Sequence, residues 1–299
     1  MSLRVAVQMD PLDGINIEGD STFAIMLGAQ RRGHALWYYG AEDLSFTEGR
    51  LWTMAQPVTV QPVKGDHYTL GDPVLLDLGY ITATHLLERI RGETLVVNDP
   101  ASVRDAPEKI WVLDFARFMP PTLLTRSVGA ARRFLERHGE IVVKPLHGNA
   151  GKAVFKVGRD GANLSALIEM FNAAYREPHV VQAFVPEIAE GDKRIVLVDG
   201  EVAGAINRIP GAGEIRSNLA VGGSAAKTEL TETEREICAA LAPELKARGL
   251  LFVGIDVIGG KWLTEINVTS PTGIVAIDRY NGTDTPGMIW DAIEAKVRR

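Results

Sequence analysis

The chain has 299 residues, a formal net charge of -6, 46% hydrophobic and 23% charged residues. That length supports two or three structural units, and the acidic balance gives no electrostatic reason to expect nucleic acid or membrane as a partner. The lone Cys238 excludes an internal disulfide framework, and the polar start MSLRVAVQMD with no membrane-length apolar run leads us to expect a cytoplasmic protein.

In chain order, residues 4–9 read as a short apolar strand running into a long polar loop. Asp20 or Ser21 can cap the next helix, which stops at Gly33, and residues 34–39 read as a second strand. A less regular stretch runs to about Asp72. A helix over 80–90 and a strand over 94–97 follow, and this spacing predicts an open parallel sheet with helices on its faces.

The pattern changes from about Asp105. A helix is expected from near Pro107, a strand at 123–126 and a helix over 128–137 ending at Gly139. Strands at 141–145 and 153–157 flank the loop HGNAGK. A helix over 164–175 and a strand over 180–184 come next. The last third reads as antiparallel: 193–198, the turn Asp199-Gly200, then 202–209. Thr231 and Glu234 make a capping box for a long helix that Gly249 closes. A hairpin over 251–267 then turns at Gly259-Gly260.

With a two-residue turn, Ile258 faces Lys261 and Asp256 faces Leu263. Period-two alternation puts Asp256, Glu265 and Asn267 on one face. Carboxylate and amide oxygens without His or Cys suit magnesium, although a half-exposed hairpin with a solvated acidic face reads equally well from these residues.

The loop Gly148-Asn149-Ala150-Gly151 could bring backbone N–H groups close to a phosphate, or could be an ordinary hairpin loop. Lys144, on an apolar strand just before it, needs a counter-charge that a phosphate would supply. Gln182, Ala183, Phe184 and Val185 end a strand whose backbone could face a purine edge, or form an interior strand and nothing more. Arg194 and Arg208 precede the Gly-rich stretch 211–223 and Arg216 and Asn218 lie in it, where the arginines could clamp phosphate or carboxylate or the loop could simply be polar. The six histidines show no metal-ligand spacing, and no nucleophile elbow occurs.

Taken in order, Lys109, VVKPLHGNAGKAVF, VVQAFVP, GDKRIVLVDG, IRSNLAVGG and GIDVIGGKWLTEINVTSPTG resemble the bacterial glutathione synthetases of the ATP-grasp superfamily, as does MDPLDGINIEGDSTFAIMLGAQRRG near the start. The resemblance runs nearly end to end. It implies an ATP-grasp fold of mixed α/β and α+β class: a Rossmann-like N-terminal domain at 1–104, a small lobe at 105–184 and a C-terminal lobe at 185–299. It implies ATP-dependent ligation of γ-glutamylcysteine to glycine with Mg2+, or Mn2+ in its place, in a homo-oligomer. Lys109 and Lys144 would contact ATP phosphates under the loop Gly148, Asn149 and Gly151. Gln182 through Val185 would frame adenine, with Asp192 near the ribose. Asp256, Glu265 and Asn267 would hold the metal. Arg194, Arg208, Arg216 and Asn218 would face the acyl phosphate and substrates, and Ser270, Pro271, Thr272 and Gly273 would close the substrate side.

One departure stands out. The family carries a segment like MRxDPPFD before the helix corresponding to 80–90, and here the chain runs PVLLDLGYITATHLLERI. Either a loop has been deleted, which puts the peptide substrate in doubt, or the numbering conceals residues between 77 and 80. The cost of losing a whole strand favours the second. A different ATP-grasp amino-acid ligase and a non-catalytic nucleotide-binding regulator remain the rival readings.

Overall fold

The computed structural model describes residues 2–40, 43–47, 50–77, 83–147, 151–217 and 222–298. Three sheets organise them. The N-terminal unit contains β1 (Arg4–Gln8), α1 (Ser21–Arg31), β2 (Ala35–Tyr39), β3 (Leu44–Thr47), β4 (Arg50–Val60), β5 (Tyr68–Leu70), β6 (Val74–Asp77), α2 (Ala83–Ile90) and α3 (Pro100–Asp105). Asp20 caps α1, its carboxylate accepting from the Phe23 N–H at 2.7 Å. The sheet runs β1-β2-β4-β3, with β5 and β6 also on β4. Only β1 and β2 are parallel; the other pairings are antiparallel.

This corrects the expected open parallel sheet. Residues 94–97 form no strand. β1 ends the strand order of its sheet, but the segment is tied to the third sheet instead, where the Asn98 side chain bonds Phe252 and Val268 and the Asp99 N–H bonds the Gly249 carbonyl. With no ladder to join, Leu95 and Val97 stay 41% and 39% exposed.

The second sheet comprises β7 (Thr122–Thr125), β8 (Ile141–Lys144), β9 (Phe155–Val157) and β10 (His179–Ala183), in the order β7-β10-β8-β9, all antiparallel. Helices α4 (Val128–His138) and α5 (Leu164–Ala174) bury Leu135, Leu164, Ile168 and Phe171 against Ile141, Val143 and Val181. The helix expected from Pro107 is instead a 3-10 helix over Trp111–Phe118, kinked at Phe115.

The third sheet is built from β11 (Asp192–Val198), β12 (Glu201–Ile209), β13 (Ser224–Lys227), β14 (Phe252–Ile258) and β15 (Trp262–Asn267), ordered β13-β12-β11-β14-β15 and antiparallel throughout. On one face α6 (Glu232–Ala247) packs Ile237, Leu241 and Leu245 against Ile195, Val253, Ile255 and Val257. The Thr231–Glu234 capping box forms, and Lys193 Nζ pairs with the buried Glu234 carboxylate at 2.7 Å. On the other face α7 (Ile274–Asn281) and α8 (Thr285–Val297) cover Val196, Val198 and Ile206. Helix α8 also reaches the N-terminal unit, where Trp290 Nε1 donates to the Ile25 carbonyl at 2.9 Å. Among the described residues no helix is long and apolar enough to cross a membrane.

Candidate active site between the sheets

The β14–β15 hairpin departs from simple alternation. Ile258 pairs with Trp262, so the loop has three residues, Gly259, Gly260 and Lys261, with both glycines at positive φ of 60° and 68°. Val257 pairs with Leu263, but Asp256 pairs with Glu265, leaving Thr264 as an extra residue in a bulge. The expected Ile258–Lys261 and Asp256–Leu263 pairings are therefore overturned. The cause is packing. Leu263 and Ile266 are both fully buried in one core, three residues apart, and a regular strand would send them to opposite faces. The bulge absorbs the odd residue, and Thr264 Oγ1 donates to the Asp256 carbonyl at 3.1 Å. The cross-strand pairs Asp256–Glu265 and Gly254–Asn267 then leave Asp256, Glu265 and Asn267 on the other face, along a common cleft.

Two charge clusters form in that cleft. In the first, Arg194 grips Asp256 through Nε at 2.6 Å and Nη2 at 3.0 Å. Arg208 Nη2 reaches the same carboxylate at 3.0 Å and holds Asp192 at 2.7 and 2.6 Å. These are cross-strand partners: Arg194 lies opposite Asp256 and Asp192 opposite Arg208. All four are buried, so the charges compensate one another in a poorly solvated setting. Burial alone would raise the Asp256 carboxyl, yet Arg194 and Arg208 outweigh it and hold it well below the usual carboxylate range. Arg208 and a Ser217 hydrogen bond favour the Asp192 carboxylate, but burial together with the Asp256 charge outweighs them and pushes it up.

In the second cluster, Lys144 Nζ lies 3.3 Å and Lys109 Nζ 3.6 Å from Glu265 Oε1, and Lys109 also contacts Glu108. Burial, reinforced by the Glu265 charge, raises the Glu108 carboxyl. Burial would lower the Lys109 ammonium, but Glu265 and Glu108 overcome it and raise it. Glu108 escaped the sequence reading, where its only signal was adjacency to Lys109. Asn267 Nδ2 is buried without a hydrogen-bond partner. That orphaned atom is a donor and calls for an acceptor such as a phosphate oxygen, whereas the groups that suit a hard, oxygen-preferring cation such as Mg2+ are the Glu265 carboxylate, held loosely by two lysines, and the Asn267 amide oxygen. Among the described residues no three His, Cys, Asp or Glu side chains converge, so such a site needs the Asn267 amide oxygen as well.

The remaining expected residues distribute unevenly. Gln182, Ala183, Phe184 and Val185 line the cleft. Gln182 Nε2 donates to Thr122 Oγ1 at 2.8 Å, and the Ala183 and Phe184 N–H groups are spent on Pro121 and Glu140 carbonyls. The expectation that these two N–H groups face a purine edge is thus corrected: the sheet margin uses them first. Arg216 forms a fork with Glu214 at 2.7 and 2.8 Å at the cleft mouth. Ser270, Pro271, Thr272 and Gly273 border the same cleft, with Arg194 Nη1 donating to the Thr272 carbonyl at 3.1 Å. Gly151, at φ 70°, also borders it. Gly148, Asn149 and Asn218 lie outside the described residues, as do 150 and 219–221.

The cleft holds about 2020 Å³, well above the roughly 300–1,000 Å³ of a pocket for one small ligand. Several substrates can occupy it together. Cys238 takes no part: it is buried on the core face of α6, and burial pushes its thiol up to about 12.

Comparison with known proteins agrees with this arrangement. The sequence model of the prokaryotic glutathione synthetase ATP-grasp domain matches residues 108–282, and that of the N-terminal domain matches 3–79 and 72–104. Glutathione synthetases of Bradyrhizobium diazoefficiens and Rhodopseudomonas palustris are 54% and 55% identical, each over 99% of both chains. The crystal structure of a D-cycloserine synthetase superposes with a TM-score of 0.69 at 17% identity over 99% of both chains, a likeness of fold. Alignments to the two relatives run over 312 positions, so those proteins carry residues for which this chain has no counterpart. The two N-terminal matches overlap at 72–79, which marks the break. The sequence is shorter than those of these relatives at that point, and its unbroken numbering fits both expectations, a deleted loop and residues concealed by the numbering. The backbone spacing at 78–80 lies outside the described residues. On these matches the chain belongs to the prokaryotic glutathione synthetase family and has the ATP-grasp fold.

Proposed function

We propose that this chain joins γ-glutamylcysteine to glycine, converting ATP to ADP and phosphate. The observation that carries the reading is the facing pair of clusters: Glu265 between Lys109 and Lys144, and Asp256 under Arg194 and Arg208, in one cleft roomy enough for nucleotide and peptide. Identity above 50% to glutathione synthetases along the whole chain supports the substrate choice.

In this scheme the cysteinyl carboxylate of the dipeptide attacks the γ-phosphorus of ATP, and ADP leaves. The glycine amine then attacks the acyl phosphate carbonyl, loses a proton, and expels phosphate as the amide forms. Lys109 and Lys144 hold the phosphates under the loop 148–151, while 182–185 frame the adenine. Asp192 reaches the ribose once Arg208 turns to the substrate. Arg194, Arg208, Arg216 and Asn218 stabilise the transferring phosphoryl group and the tetrahedral oxyanion. Ser270 through Gly273 close the dipeptide side. Asp256, Glu265 and Asn267 would hold Mg2+, or Mn2+ in its place, which supplies charge neutralisation at the phosphates. No protein nucleophile is required. Closure of the Gly-rich segments keeps water from the acyl phosphate.

We place the three units at 1–104, 105–184 and 185–299 and expect a cytoplasmic homo-oligomer. The test is release of phosphate from ATP that depends on both γ-glutamylcysteine and glycine, with glutathione identified by mass. The shortened stretch near 72–79 favours one rival, a related ligase with a different acceptor. Phosphate release with another amine and none with glycine would select that rival.

A further inference from the structure

Asn98 belongs to no strand or helix, yet its carboxamide joins two strands of the third sheet. Its Oδ1 accepts from the Phe252 N–H at 2.7 Å, and its Nδ2 donates to the carbonyls of Phe252 and Val268, both at 2.7 Å. The adjacent Asp99 N–H donates to the Gly249 carbonyl at 3.1 Å. Phe252 opens β14, and Val268 follows Asn267, the last residue of β15. The ladder between those strands ends at Gly254–Asn267. Beyond that pair the Asn98 side chain stands in for a peptide group and ties the strands together where their own bonds stop.

That point is where the chain leaves Asn267 for the segment 269–273. The far end of the segment is fixed separately by Arg194 Nη1 on the Thr272 carbonyl at 3.1 Å. The segment thus hangs between two anchors, one from the buried arginine and one from the stretch that connects the N-terminal unit to the rest. We propose that Asn98 is a positioning residue for the ligation: it sets where Ser270 through Gly273 begin. It touches no substrate and acts through those residues. This rests on the reading of 270–273 as the substrate side.

The test compares Asn98→Asp and Asn98→Ser with Asn281→Ala. Asn98→Asp keeps the acceptor for Phe252 N–H but turns a second oxygen toward two carbonyls, and Asn98→Ser is too short to span the strands. Asn281 also donates to two carbonyls, of Ala205 and Ile277, at 2.9 and 2.8 Å, and serves as a structural control at the last residue of α7. All three are assayed for kcat, for KM of each substrate and for thermal unfolding. Both Asn98 variants should raise KM for γ-glutamylcysteine or glycine about tenfold or more, with KM for ATP within about twofold. Asn281→Ala should lower the unfolding temperature and leave every KM in place. Unchanged constants, a uniform rise in all three, or failure of both Asn98 variants to fold would make Asn98 structural only and overturn the proposal. Absence of glutathione formation by the unmodified chain would instead overturn the functional reading, and it is measured first.

Discussion

Arg194 binds both carboxylate oxygens of Asp256, at 2.6 and 3.0 Å, with the two residues only 5% and 4% exposed. The carboxylate proposed for the cation is therefore already neutralised by an arginine, and a second, Arg208, lies 3.0 Å away. The arginines and a divalent cation compete for the same oxygens.

Removing one competitor should show this directly. Arg208→Gln should tighten Mn2+ binding to the nucleotide-free protein by about tenfold, since a buried positive charge beside a carboxylate is worth several kcal/mol even at an effective dielectric near 20. Electron paramagnetic resonance of free Mn2+ reads the affinity. Equal or weaker binding than the unmodified protein would mean Asp256 is no ligand.

The same pairing makes Asp256 a source of acid sensitivity. Its folded carboxyl is held below its unfolded value, near 3.9, so its contribution to stability is fully present above about pH 4. That contribution falls as pH drops further toward the folded value. Urea midpoints between pH 7 and pH 3 should decline more steeply below about pH 4 in the unmodified protein than in Asp256→Asn. At pH 7, Asp256→Ala should cost about 3–5 kcal/mol, because two buried guanidiniums lose a partner.

Glu265→Gln should behave differently. Its side chain is 23% exposed and its lysine contacts, at 3.3 and 3.6 Å, are loose, so unfolding should change little. Turnover should fall at least ~10²-fold, in line with loss of one preorganised electrostatic group. Near-normal turnover at saturating Mg2+ would remove Glu265 from the metal assignment.

Deleting Thr264 should be tolerated. The bulge would become a regular ladder in which Leu263 and Ile266 keep the core face and Glu265 still opposes Asp256. The loss is the Thr264–Asp256 hydrogen bond, about 0.5–1.5 kcal/mol. A urea titration showing collapse of the fold would mean that the bulge supports the hairpin in some further way.

Cys238 should resist alkylation in the folded protein at pH 8 and react once urea unfolds it, because burial holds the thiol protonated. Labelling at equal rates in both states would contradict the packing of the core face of α6.

Much of this chain is legible locally. The Asp20 cap, the Thr231–Glu234 capping box and the oxygen donors of the hairpin follow from residues a few positions apart, since caps and strand alternation depend on near neighbours. Lys144 and the two arginines could be named as cleft residues from charge on strands, and Lys109 from the resemblance alone. Their pairings could not. Arg194 meets Asp256 across 62 positions and Lys144 meets Glu265 across 121, and such partners exist only once separate strands are laid side by side. The Thr264 bulge escaped for a related reason: alternation is a local rule, but two core residues three apart overruled it. The segment expected as a strand at 94–97 had the right composition but forms no ladder, and Asn98, unremarked in the sequence, found its partners 154 and 170 positions away. Local sequence sets what each segment can form, while the energy of burying a charge or a backbone amide depends on which distant group arrives beside it.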